Sequence, residues 1–192
     1  MPTNREFLPL KGDYRSLIAF QKAECIYDVT YHFVHNYVTK GDRTADQMIQ
    51  AARSGKQNIA EGGAASTTSV ETEIKLINVA KASFKELLLD YEDYLRVRSL
   101  TQWGPGDERY TQARHACANH NDSAYYRDAV KLRSDETIAN IAITLIHQED
   151  ALLCGVLERL KAEFLQNGGI RDQMYHGRKN SRDNDNVSGV KK

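Results

Sequence analysis

Proline stands at only three places, Pro2, Pro9 and Pro105, so no helix breaker falls between residues 10 and 104 or after residue 106. Proline removes a backbone donor and clashes with the preceding turn. Its absence over such lengths lets long helices run uninterrupted, and apolar residues in both stretches recur at helical steps of three and four. The expected fold class is all-α. At 192 residues the chain is one domain by length, with room for a core that needs no staples.

Residues 1–13 read as a loose N-terminal arm. Asp13 is placed to cap a first helix with the apolar face Leu17, Ile18, Cys25, Ile26, Val29 and Phe33, ending near Tyr37. After the turn at Thr39–Asp42, Asp42 caps a second helix whose stripe of Ala45, Met48, Ala52, Gly55 and Ile59 is made largely of small residues. That stripe predicts close approach by a neighbouring helix. Gly62-Gly63 is expected to end the helix in a left-handed turn, followed by a polar linker, Ala64 to Thr67. A capping box, Thr68-Ser69-Val70-Glu71, opens the third helix. Val70, Ile74, Ile77, Phe84, Leu88, Tyr91 and Leu95 carry it to Arg98, a length of about 43 Å at the usual rise.

Trp103-Gly104-Pro105-Gly106 marks a stop, and Asp107 caps a short helix running to about Asn119. The stretch from there to Arg133 is polar and has no assigned element; residues 101–133 together form an insertion. The fourth main helix starts at Ser134 or Asp135, carries Ile138, Ile141, Leu145, Leu152, Val156 and Leu160, and stops at Asn167-Gly168-Gly169. The expected architecture is an up-down-up-down four-helix bundle over residues 14–167, with a helical insertion between the third and fourth helices. A C-terminal extension, 168–192, follows, its end from about Ser181 polar and without periodicity.

Gln47, Ala51-Ala52, Ser54 and Asn58-Ile59-Ala60-Glu61-Gly62, followed by Ala80, Ser83 and Glu86, resemble the signature of a family of bacterial four-helix-bundle proteins. That family includes the proteins encoded by intervening sequences in 23S ribosomal RNA genes and the accessory variability determinant of diversity-generating retroelements. Ala19-Phe20-Gln21-Lys22-Ala23 resembles its first helix, and the match spans about residues 14–100. Phe164 to Tyr175 resembles a C-terminal suffix carried by a subset. The resemblance implies a homo-oligomer, a pentameric barrel, that binds RNA or DNA, or a nucleic-acid enzyme such as a reverse transcriptase. Ser54, Asn58, Glu61, Gly62, Ser83 and Glu86 are then the structural motif. Glu61 sits at the negative end of a helix dipole and needs a donor, for which Asn58, Lys56 or a residue elsewhere is available. No second carboxylate, His or nucleophile lies near it in sequence, so a structural corner is the favoured reading over a catalytic acid.

Formal net charge is zero, against the electrostatic footprint of a typical nucleic-acid binder. The charge is uneven, however. Arg171, Arg178, Lys179 and Arg182, with Tyr175 interleaved, form a basic tail that can contact phosphates and stack on a base, or can simply solubilise a helix end. Arg53 and Lys56 form a second candidate patch if a ring repeats them around an axis; the competing reading is one exposed helix face.

Cys25, Cys117 and Cys154 are widely separated and odd in number, which fits a reducing compartment and no disulfide framework. Met1–Asp13 has no apolar signal core and no run is long enough to span a bilayer, so a cytoplasmic protein is expected. Glu-x-x-His, the pattern of di-metal bundles, does not occur. His32/His35, Cys117/His120 and His147/Glu149/Asp150 offer only local pairs. With no Gly-x-Ser-x-Gly and no phosphate-cradling loop, no cofactor, metal or catalytic residue is assigned and the protein reads as a non-enzyme. The functional expectation is an oligomeric adaptor for RNA and/or a nucleic-acid-processing partner, the alternative a protein-interaction scaffold that binds no nucleic acid.

Overall fold

A computed structural model describes residues 14–66, 69–168 and Tyr175, and the regular elements in it are helical throughout. After a 3-10 turn at Tyr14–Ser16 come α1 (Ile18–Tyr37), α2 (Arg43–Ala65), α3 (Val70–Val97), α4 (Glu108–Asn119), α5 (Ser123–Ala129) and α6 (Asp135–Asn167). α1 packs on α2 and α6, α2 on α3, and α3 on α6, while α4 and α5 of the insertion lie against α6 and α1 respectively. No described helix is long and apolar enough to cross a membrane.

Local chemistry explains the boundaries. Asp42 accepts the Thr44 amide at 2.9 Å, Asp107 accepts that of Arg109 at 2.9 Å, and Ser134 accepts that of Thr137 at 3.3 Å, each satisfying an otherwise orphan donor. Gly168, at φ 67°, ends α6 in a conformation that side chains rarely adopt.

Two boundaries differ from expectation. α2 does not stop at Gly62-Gly63 but runs on to Ala65, and the Ser66 hydroxyl donates to the Gly63 carbonyl at 2.7 Å. Both glycines are buried: a Cβ on Gly63 would stand 2.9 Å from Tyr14, and one on Gly62 would meet Ile77 at 3.5 Å. Neither makes a left-handed turn; at Gly63 the missing side chain admits Tyr14, whereas Gly62 has ordinary contact room. The cap of α3 is Ser69, not Thr68. Its hydroxyl accepts the Thr72 amide at 3.2 Å and donates to Glu71 at 3.0 Å. Thr68 and Asp13 lie outside the described residues; α1 starts after Leu17 without a side-chain cap.

The core stacks Phe33 of α1 against Tyr91 and Tyr94 of α3, with centroids 5.0 and 4.7 Å away. The buried Tyr91 hydroxyl donates to Thr30 at 3.0 Å. Buried polar groups fasten the insertion. Asn140 accepts the Trp103 amide at 2.7 Å and donates to the Thr101 carbonyl at 2.9 Å. Lys22 donates to the Cys117 carbonyl at 2.6 Å and to Gln148 at 3.0 Å, joining α1, α4 and α6. The stretch with no assigned element holds a second short helix, α5, capped by Asp122, which accepts the Ala124 amide at 3.0 Å.

Candidate nucleic-acid interface

One face of α1 escapes the core. Tyr27, Tyr31 and His35 recur every four residues, which aligns them along a single stripe. The Tyr27 and Tyr31 rings stand 6.3 Å apart, and those of Tyr31 and His35 only 4.0 Å. His35 Nδ1 lies 2.7 Å from the Tyr31 carbonyl, which orients the imidazole. Tyr31 is half exposed at 50%. The result is an aromatic ridge that is open to solvent at Tyr31 and His35, with Tyr27 half-buried against the core.

Cations line both sides of it. From α2, the Lys56 ammonium sits 4.2 Å from the centre of the Tyr27 ring, a cation–π contact; Arg53, one turn earlier on that face, is exposed. Arg127 of α5 reaches Asp28 at 2.8 Å, and Lys131, in the turn after α5, pairs with Asp128 at 2.7 Å. Between α1 and this side runs an open groove of about 510 Å³, bordered by Tyr27, Tyr31, His32, His35, Arg127 and Lys131. The Lys131 ammonium holds the Asp128 carboxyl below its usual range. Arg127 and Lys131 are solvent-exposed in these pairs, so a phosphate can compete for either cation. Aromatic faces between cationic edges suit unpaired bases with their phosphates alongside.

The remaining expected site residues divide. Ser54, Asn58 and Ser83 meet at the α2–α3 seam: the two hydroxyls are 2.9 Å apart, and Asn58 donates to the Ser54 carbonyl at 2.8 Å. Gly55, beside them, faces Phe84 so closely that a Cβ would fall 2.5 Å from the ring. Glu61 and Glu86 are exposed, and Glu61 makes no hydrogen bond or ion pair among the described residues, so Asn58 and Lys56 are not its partners. Glu86 borders an acidic groove with Asp46, Gln50, Ser54, Ser83 and Asp90. Burial, aided by Asp93 and Glu86, pushes the Asp90 carboxyl up. Arg171, Arg178, Lys179 and Arg182 lie outside the described residues; Tyr175, which is described, is exposed.

Sequence reasoning singled out Arg53 and Lys56, and His35 only as half of a local ligand pair; it did not single out Tyr27, Tyr31, Arg127 or Lys131. The four-residue aromatic repeat was readable; the approach of α5, ninety-nine residues along the chain from Asp28 to Arg127, was not. Among the described residues no three His, Cys, Asp or Glu side chains are grouped to hold a metal ion. No family model, curated protein or solved structure matches the chain.

Proposed function

We propose that this protein is a non-enzymatic, self-associating helical adaptor that binds RNA along the α1 ridge, alone or for a nucleic-acid-processing partner such as a reverse transcriptase. The observation that carries the reading is the close, exposed Tyr31–His35 ring pair, tilted by 31°, with Lys56 on one side and Arg127 and Lys131 on the other. The signature resemblance supports it as well. The neighbour relations of the four long helices, each packed on two others, support the up-down bundle and thereby membership of the bacterial four-helix-bundle family.

The test is binding of a short structured RNA with an unpaired loop to the full chain, at low and moderate salt, with the mass of the complex read by light scattering. The expected outcome is a homo-oligomer, five subunits by the resemblance, whose RNA affinity falls with salt by a logarithmic slope of about −0.7 per phosphate neutralised. Tyr31→Ala weakens binding by about tenfold, the loss of one base–aromatic stack. Arg53→Ala with Lys56→Ala flattens the salt slope, and changing Arg171, Arg178, Lys179 and Arg182 to Ala tests the tail separately. RNA affinity indifferent to Tyr31 and to salt would sink the proposal. A second reading, a protein scaffold without nucleic-acid affinity, is favoured by the zero net charge and by the acidic α2–α3 groove.

A further inference from the structure

The insertion and α6 enclose a separate cavity of about 360 Å³, bordered among others by Trp103, Tyr125, Tyr126, Ile141, Arg109 and Arg133. Its size is that of a small-molecule site, and its lining mixes aromatic and aliphatic side chains with the polar Arg109, Gln112, Arg133 and Thr137. Tyr125 stacks on His120 at 3.8 Å and meets Tyr126 edge-on at 5.1 Å, which fixes one aromatic wall. The Tyr126 hydroxyl donates to the His120 carbonyl at 3.0 Å, so that ring is anchored at its polar end.

Two side chains that border this cavity have donors to spare. The Trp103 indole N–H is buried and has no acceptor among the described residues, although buried donors are nearly always paired. The two arginines differ in the same way. Arg109 is neutralised by Asp107 at 2.9 Å and Glu136 at 3.2 Å. The Arg133 side chain is exposed; its guanidinium makes one hydrogen bond, from Nε to the Ala129 carbonyl at 3.0 Å, and no ion pair among the described residues. An indole donor without an acceptor and an exposed guanidinium without a carboxylate, both beside one space with aromatic walls, suit a ligand that accepts hydrogen bonds, carries one negative charge and is flat.

We infer that this cavity binds a small aromatic carboxylate, its ring between Trp103 and Tyr125 and its carboxylate on Arg133, whose planar fork matches that group. This site is independent of the α1 ridge and of any RNA affinity.

Trp103 is the only tryptophan in the chain, so its emission reports on the cavity alone. The full-length protein is titrated with 2-naphthoate and, as the uncharged match, 2-naphthamide, following Trp103 fluorescence and the indole N–H resonance of ¹⁵N-labelled protein. Binding by calorimetry supplies a readout that does not depend on the indole. The expected result is saturable binding of the acid, a shifted indole resonance, and at least tenfold weaker binding of the amide. Arg133→Gln reduces acid affinity by a similar factor while leaving the melting midpoint unchanged. Ala116→Leu, which extends a side chain into the same space, abolishes binding. Should Ala116→Leu fail to fold, Arg133→Gln and the amide comparison decide. No saturable binding at millimolar acid, equal affinity for the amide, or an unaltered affinity in Arg133→Gln would each overturn the assignment.

Discussion

Glu149 is fully buried in the middle of α6, and neither carboxylate oxygen has a hydrogen-bond partner among the described residues. Burial pushes its carboxyl well above the usual value, an effect that the nearby Lys22 ammonium offsets only in part. The same burial pushes Lys22 down. The folded state therefore holds the Glu149 proton at pH values where the unfolded chain, titrating near 4.5, has released it. Stability associated with this group is present below that value and is lost as pH rises from it through the folded value. Glu149→Gln cannot ionise, so it should match the parent at about pH 3.5, below the unfolded value, and exceed it at pH 8 by about 1–3 kcal/mol, the scale of an uncompensated buried polar group. Urea denaturation at the two pH values checks this; a variant less stable than the parent at both would show that the carboxylate has a stabilising partner. Glu149 was not legible as buried, because α6 carries other charged side chains that stay exposed, such as Asp150 and Glu158, and which turn is buried is set by the packing of α1 and α4 against it.

Between elements, the α2–α3 seam shows two uses of glycine that the sequence does not separate. Gly55 has Phe84 where its side chain would be, whereas Gly62 leaves ordinary van der Waals room beside Ile77. Gly55→Ala must displace a buried ring and is expected to cost about 1–3 kcal/mol. Gly62→Ala fits a helical position and should be neutral or stabilise by up to about 1 kcal/mol. Thermal melts of the two variants distinguish them, and equal effects would refute this account of the seam. The caps at Asp42, Asp107 and Ser134 and the stop at Gly168 were legible, because each rests on a side chain acting within one turn of itself. The continuation of α2 through Gly62-Gly63 was not, since a glycine that admits a neighbour and a glycine that turns the chain are the same letter.

For the molecule as a whole, α3 keeps apolar side chains on its outer surface. Val79, Leu89 and Val97 are 48, 50 and 64% exposed, and their spacing puts them near one stripe. If the proposed self-association uses that stripe, Leu89→Asp should reduce the mass measured by light scattering to that of one chain without lowering the melting midpoint by more than about 0.5 kcal/mol in stability, as for a surface change. An unchanged mass would place the contact elsewhere. The helical class and the order of long helices were legible from period and breakers. The candidate interface was legible only in part, because its two cationic sides come from α2 and α5 and meet across α1.

The insertion is fastened from a distance, since Lys22 and the Cys117 carbonyl are 95 residues apart in sequence. α2 and α3, by contrast, follow one another directly and make the most extensive helix pairing. In kinetic terms this divides the molecule into an early and a late part, because short loops close at lower entropic cost than long ones. We expect Gly55→Ala to slow refolding, whereas Lys22→Met, acting on a contact made after the barrier, chiefly speeds unfolding. Stopped-flow chevrons in urea read the two arms directly, and a Lys22→Met chain that refolds slowly but unfolds at the parent rate would reverse the order. The α4–α5 insertion is then the part that opens first and most often, and its amides should exchange with solvent ahead of those along α2 and α3.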